Sequence, residues 1–438
     1  MRLKTWAAGI AVALTLPFLH GCGNDDAQKG EVRLINATSE YATLDLYTLD
    51  SSGNDDLVVA GATPGAATAY TGVDKGTHTF DIKSGSGPGV AAHVSGTVSK
   101  TDHATVVAYL TGNALQAQFL TDEETAPSSG NAKLRVFNAA STEAGSVDVY
   151  LTTNPCNALT VTDTALVAGV TGLQTGFSQV TASAAGTDWH VCVTTAGDKS
   201  TLRLDIPKLT LKDQEIATLI LTRTAGGVLL QGSVLDQQGS PTAYPSAISR
   251  VRVVADAASG ASVSVTLNSV SLSSDLQSPT VGRYATVPSG TLTATISIND
   301  VAISGVTLPA AAPGTDYTLL VAGTVGAPSI TLLTDNNTPS TISAQPVEAR
   351  VVNGLNGLSG NPPISASVDG ILVGSATFAT ASTYQPIAAS TGTSTVRMTG
   401  APVNATPLDS QTFSSGRVYT IFILGDAASP QIQPIGDR

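Results

Sequence analysis

Charge is scarce in this 438-residue chain: only 12% of its residues are Asp, Glu, Lys or Arg, against roughly 25% in ordinary soluble domains. Lysine is rare and glutamate rarer, so the chain lacks the residues that normally coat helix surfaces. Threonine, serine, valine, alanine and glycine dominate instead, and the branched Cβ of threonine and valine favours extended backbone. An all-β body is expected from that bias. Aromatic residues make up 5%, too few for the girdles of a membrane barrel. After the first 21 residues no apolar run reaches the length of a membrane-spanning helix. The machinery of common enzymes is missing as well: there is no Gly-x-Ser-x-Gly elbow, Walker loop or dinucleotide fingerprint. No HExxH, CxxC or His-x-His accompanies the few histidines. The expectation is a protein without catalytic residues, cofactor or metal.

The first residues are of a different kind. Arg2 and Lys4 precede an uncharged, mostly apolar run from Trp6 to Phe18. That run is too short for a permanent span, which needs about 20 residues, and suits a secretory signal. Leu19-His20-Gly21-Cys22 follows, and the segment resembles a bacterial lipoprotein signal, with His20 departing from the usual small residue. The resemblance implies cleavage after residue 21, acylation (diacylglycerol and palmitate-type chains) at Cys22, and a flexible tether over 22–30. Two or more acyl chains anchor persistently. Gly23 in place of aspartate implies the outer membrane, with periplasmic or surface facing left open. Removing Arg2 and Lys4 leaves 19 basic residues against 33 acidic ones. Such a body is a poor partner for nucleic acid.

The remainder repeats four times. A strand begins at Arg33-Leu34-Ile35-Asn36, Arg135-Val136-Phe137-Asn138, Arg252-Val253-Val254-Ala255 and Arg350-Val351-Val352-Asn353. A second strand holds Asp45, Asp148, the degenerate Ser264, or the looser Ser365–Gly370. Mid-unit stand an aromatic (Tyr70, Phe177, Tyr284, Tyr384) and a Gly-Thr pair before an alternating strand. A hairpin closes each unit near Asp122, Asp236, Asp335 or Asp437. The expected units are 31–124, 131–240 (with an insertion at 152–176), 247–337 and 346–438. Each fits a two-layer immunoglobulin-like antiparallel β-sandwich, its Thr/Ser face towards water. Arg-Val-Phe-Asn-Ala-Ala-Ser (135–141) with Val-Asp-Val-Tyr (147–150) resembles the bacterial DUF4397 family, best over 131–240, clearly over 31–124, more weakly in the last two units. The resemblance implies exported, often lipid-anchored sandwich modules and brings no catalytic residues.

Few residues invite specific chemistry. Cys156 and Cys192 are expected to form a disulfide that pins the insertion. Asp45 and Asp148 are expected to pair with Arg33 or Arg135 on the neighbouring strand. His93 and His103, within reach of each other across a hairpin, offer a zinc pair; polar strand-face histidines are the simpler reading. The loop bearing Asp50, Asn54, Asp55 and Asp56 offers alternating oxygens for calcium, against a plain solvated turn. Trp189 is expected in the core. The insertion 152–176 is the favoured place for a specific surface. The leading expectation is a non-catalytic, lipid-anchored envelope protein, acting as structural spacer or as a protein- or glycan-interaction module. An envelope hydrolase and a calcium-dependent adhesin are the alternatives.

Overall fold

The computed structural model describes residues 28–437 except 50–53, 86–88, 113, 175, 225–227, 341, 343 and 401–404. The expected signal segment 1–21, Cys22 and Asp50 lie outside the described residues.

Strands account for nearly all regular structure, and helix is confined to short turns such as Ser141–Ala144 and Cys156–Ala158. No described helix is long and apolar enough to cross a membrane. Among the described residues the strands form eight small sheets, two in each of four successive units. In unit one, the opening strand Lys29–Asn36 and the closing hairpin, His103–Thr111 with Ala114–Thr121, belong to the first sheet. Leu44–Leu49, Asp55–Ala62, Gly76–Ser84 and Val90–Val98 form the second. Each unit has its own core, to which both sheets contribute; in unit one Val32, Leu34 and Val106 meet Leu44, Leu46, Phe80 and Ile82. Trp189 packs against the core of unit two, as expected.

The sheets are not purely antiparallel. In every unit the opening strand runs parallel to the first arm of the closing hairpin: Glu31–Asn36 with His103–Ala108, Lys133–Asn138 with Ile216–Leu221, Arg250–Asp256 with Asp316–Ala322, and Glu348–Asn353 with Val418–Ile423. Parallel strands need a long crossover, and here the second sheet supplies it. Nor does every outer face meet water. Ile35, Val107 and Leu120 of unit one pack on Phe137, Ile220 and Leu235 of unit two. Val254 and Leu320 of unit three likewise pack on Val352, Phe422 and Leu424 of unit four. The first sheets therefore join the units in pairs, one with two and three with four. Their opening strands are covered on both faces, which is why they read as Leu-Ile or Val-Val rather than as an apolar–polar alternation.

Candidate functional site

The repeated arginine sits at the seam between paired units. Arg252 donates from Nε to Thr318 Oγ1 of its own unit (2.8 Å) and from Nη1 to Asp437 Oδ1 of unit four (2.5 Å). Arg350 answers from the other side, donating to Thr420 Oγ1 (3.2 Å) and to Asp335 of unit three. Each aspartate also accepts its own unit's threonine: Thr318 to Asp335 (2.7 Å), Thr420 to Asp437 (2.5 Å). The mid-unit aromatics cover the guanidinium groups, Tyr284 lying 4.7 Å from Arg252 and Tyr384 4.8 Å from Arg350. All four charged side chains are nearly inaccessible. Burial pushes the Asp437 carboxyl up, and Arg252 pulls it back down. Three recurrent sequence marks (arginine, mid-unit aromatic, hairpin-end aspartate) are thus joined, through a threonine of the hairpin's first arm, in one reciprocal clasp.

The first pair carries a looser version. Arg33 donates to Thr105 (2.8 Å) and to the Gly239 carbonyl of unit two, beneath the ring of Tyr70 at 4.5 Å. Arg135 holds Thr218 (2.8 Å) and faces Phe177, which has no hydroxyl to offer Asp236. Gln237 binds both the amide and the carbonyl of Glu124, at 3.0 and 2.8 Å.

These contacts overturn the expected pairing of Asp45 with Arg33 and of Asp148 with Arg135. Asp45 Oδ1 accepts the Gly61 amide (2.7 Å), and Asp148 accepts those of Gly169 (2.8 Å) and Gly197 (2.9 Å). Gly61 and Gly169 have left-handed φ of 75° and 68°, at irregularities in strand register. The aspartate therefore staples a β-bulge, where a left-handed glycine is the ordinary occupant. In unit three Ser264 Oγ does the same for the Asp275 amide (3.0 Å).

The disulfide is present: Cys156 and Cys192 are joined, with Cα atoms 5.4 Å apart. Of the stretch 152–176, Val167–Val170 is an ordinary edge strand paired with Val147–Thr152; the extra chain is about 153–166. That loop lies on the outer face of the second sheet, where Tyr150, Cys156 and Cys192 make a small core with Leu159 and Leu202. Lys199 Nζ clamps it by donating to the carbonyls of Thr160 (2.7 Å), Val161 (3.2 Å) and Asp163 (2.5 Å).

Beside this loop runs a groove of about 860 Å³ between units two and three, within the roughly 300–1,000 Å³ usual for ligand sites. Pro155, Leu159 and Val161 form one wall; Ile248, Val270 and Val287 form the other. Lys199, Asp205 and Asn268 supply polar points. Val161 at the loop tip is 94% exposed. The other sequence candidates are scattered. His93 and His103 lie in different sheets, the latter between Glu31 (3.2 Å) and Glu123 (3.0 Å). Asp55 is engaged by Lys83, so its charge is already met by a cation.

The family described as a domain of unknown function (DUF4397) matches residues 30–150 and 249–357, just over half of the chain. The chain belongs to the DUF4397 family. The two DUF4397 matches are tandem, and each covers an odd-numbered unit and runs into the opening strand of its paired neighbour. This departs from the expected ranking: within 131–240 only 131–150 is matched, whereas the third unit is matched throughout its strands. No curated protein matches the chain. A solved structure, the Bacillus anthracis TIE protein, aligns over 88% of this chain and 69% of its own at 9% identity. Its TM-score is 0.14, too low to carry an argument. The residues beyond the DUF4397 matches include the loop 153–166 and its disulfide, whereas Val270 and Val287 on the groove's facing wall lie within the second match.

Proposed function

We propose that this DUF4397 protein is a non-catalytic, lipid-anchored envelope protein. Its four immunoglobulin-like sandwiches work as two stiff pairs, and the groove beside the 153–166 loop is its point of contact with a protein or glycan. Cys22 would hold it to the outer membrane by acyl chains. The observation that carries the reading is that the repeated polar residues are consumed in the unit–unit clasp, while the groove sets the 153–166 loop of unit two against a wall of unit three. Insertions on a repeated scaffold are where recognition is commonly added.

Two measurements test it. Metabolic labelling with a palmitate analogue should mark the chain, and Cys22→Ala should abolish the label. On arrays of envelope glycans and peptides, Val161→Asp should weaken binding at least tenfold. Val301→Asp, at another exposed apolar position, should leave it unchanged. Equal binding by both variants would remove the groove from the account.

The hydrolase alternative has one observation in its favour. Glu215, in a hollow of about 490 Å³ with Asp236 and Tyr244, has its carboxyl raised by burial and by the neighbouring Asp236. A raised carboxyl can serve as a general acid. Hydrolysis of an envelope glycan that Glu215→Gln abolishes would establish it.

A further inference from the structure

The disulfide has unusual neighbours. His190 and Cys192 stand two residues apart on the strand Thr187–Thr195, and therefore share its outer face. Asp205 is the direct cross-strand partner of Cys192. Cys156 descends onto the same spot from the loop. Asp205 Oδ1 lies 3.3 Å from Cys156 Sγ, and His190 Nδ1 lies 3.9 Å from Asp205 Oδ1. The three ligand atoms of Cys156, His190 and Asp205 are all within 4.8 Å of one another. Bonds of about 2.0–2.3 Å to a tetrahedral zinc put its ligand atoms roughly 3.4–3.8 Å apart, so small side-chain shifts suffice to close the set.

Neither polar group is explained by the oxidised state. His190 Nδ1 is buried and makes no hydrogen bond. No N–H or O–H donor reaches the Asp205 carboxylate among the described residues, and its nearest polar neighbours are a sulfur and that imidazole. A disulfide offers them neither charge nor a strong hydrogen bond. A buried imidazole nitrogen without a partner is costly; the Asp205 side chain beside it is 17% exposed, and a metal is one thing that satisfies an imidazole and a carboxylate together. The groove gives access, since Cys156 and Asp205 are on its wall.

We propose that reduction of the Cys156–Cys192 disulfide uncovers a zinc site whose ligands are Cys156, Cys192, His190 and Asp205. A dithiol reductant supplies two electrons and two protons: its own sulfurs become a disulfide, and Cys156 and Cys192 become thiols. Zinc(II) then displaces both thiol protons to solvent and binds two thiolates, the imidazole and the carboxylate. Disulfide and metal are alternative fasteners for the 153–166 loop, one for oxidising and one for reducing surroundings. The soft thiolate pair selects zinc over calcium or magnesium.

The test uses the full chain carrying Cys22→Ala, so that no third thiol competes, with zinc alone as the probe. After phosphine reduction, titration against a chromophoric zinc chelator should show one tight site per chain, and the oxidised chain should show none. Cobalt(II) should give the absorption of a tetrahedral thiolate site in the reduced chain. His190→Ala and Asp205→Ala, each first confirmed to be folded and disulfide-bonded when oxidised, should lower the reduced chain's zinc affinity tenfold or more. Absence of stoichiometric binding on reduction would overturn the proposal. So would equal binding by the oxidised chain, or unchanged affinity in both variants.

Discussion

A single carboxyl at the seam of units three and four makes that junction lose stability as pH rises towards 8. Asp256 is 1% exposed, and its Oδ1 accepts the Gly425 amide of unit four at 2.8 Å. Its Oδ2 is buried and has no hydrogen-bond partner. Gly354 approaches so closely that a Cβ there would fall 2.5 Å from Oδ2. Burial raises the carboxyl from its ordinary 3.8 to about 8; the Gly425 amide pulls it down and Asp426 pushes it up. Below about pH 4 the group is protonated in both folded and unfolded chains and contributes nothing to the pH dependence. Above that, the unfolded chain ionises while the folded junction keeps its proton, so stability falls by up to about 1.4 kcal/mol per pH unit until pH 8. Four such units set a ceiling near 5 kcal/mol, and relaxation of the site lowers it. Asp256→Asn cannot ionise. Other carboxyls are common to both proteins and cancel. Urea unfolding followed by circular dichroism from pH 5 to pH 8.5 should show the variant gaining on the parent by at least about 2 kcal/mol. A difference that stays constant across the window would refute the reasoning.

Two further outcomes follow from unit two. Reducing the disulfide, or replacing Cys156 by serine, removes the closure of a 36-residue separation, and should destabilise this unit by about 3–4 kcal/mol. Fluorescence of Trp189, the sole tryptophan after Trp6, reads that unit in chemical denaturation. Asp148→Ala leaves two glycine amides without their acceptor, and a loss of about 1–3 kcal/mol is expected. Its contact with Arg135 was the sequence-based expectation. If that contact mattered, Arg135→Met would abolish the effect of Asp148→Ala; here the two should add, as independent sites do.

The β character, the four-fold repetition and the disulfide were all legible in the residues. Thr-rich strands and the recurrence of Arg, aromatic, Gly-Thr and Asp carry that information locally. What each mark does was harder to read. Asp45 and Asp148 stood beside apolar alternation and near an arginine in sequence, and the in-unit ion pair was the economical reading. The true partner of Arg252 is 185 residues away, on another unit. No periodicity reports such a contact. One signal was available: Arg33-Leu34-Ile35 and Arg252-Val253-Val254 lack the polar alternation of a strand with one wet face, and the hairpin-end aspartate recurs in all four units. Together they indicate a second buried face with a charge to neutralise. The groove was only half legible, because the 153–166 loop announced itself as an insertion but its facing wall came from unit three.

The reciprocal clasp between units is the claim on which the rest stands, and a double-mutant cycle across it is the direct measurement. Arg252→Met and Asp437→Leu each take a partner out of a buried charge network in which Arg252 also lies 3.7 Å from Asp335, and each should cost about 3–5 kcal/mol in calorimetric or urea unfolding. The double variant should cost no more than the worse single change, a coupling of about 2 kcal/mol or more, with the Trp189 transition of unit two unmoved. Single costs that simply add, or that fall below about 1 kcal/mol as exposed ion pairs do, would contradict a buried pairing of units three and four.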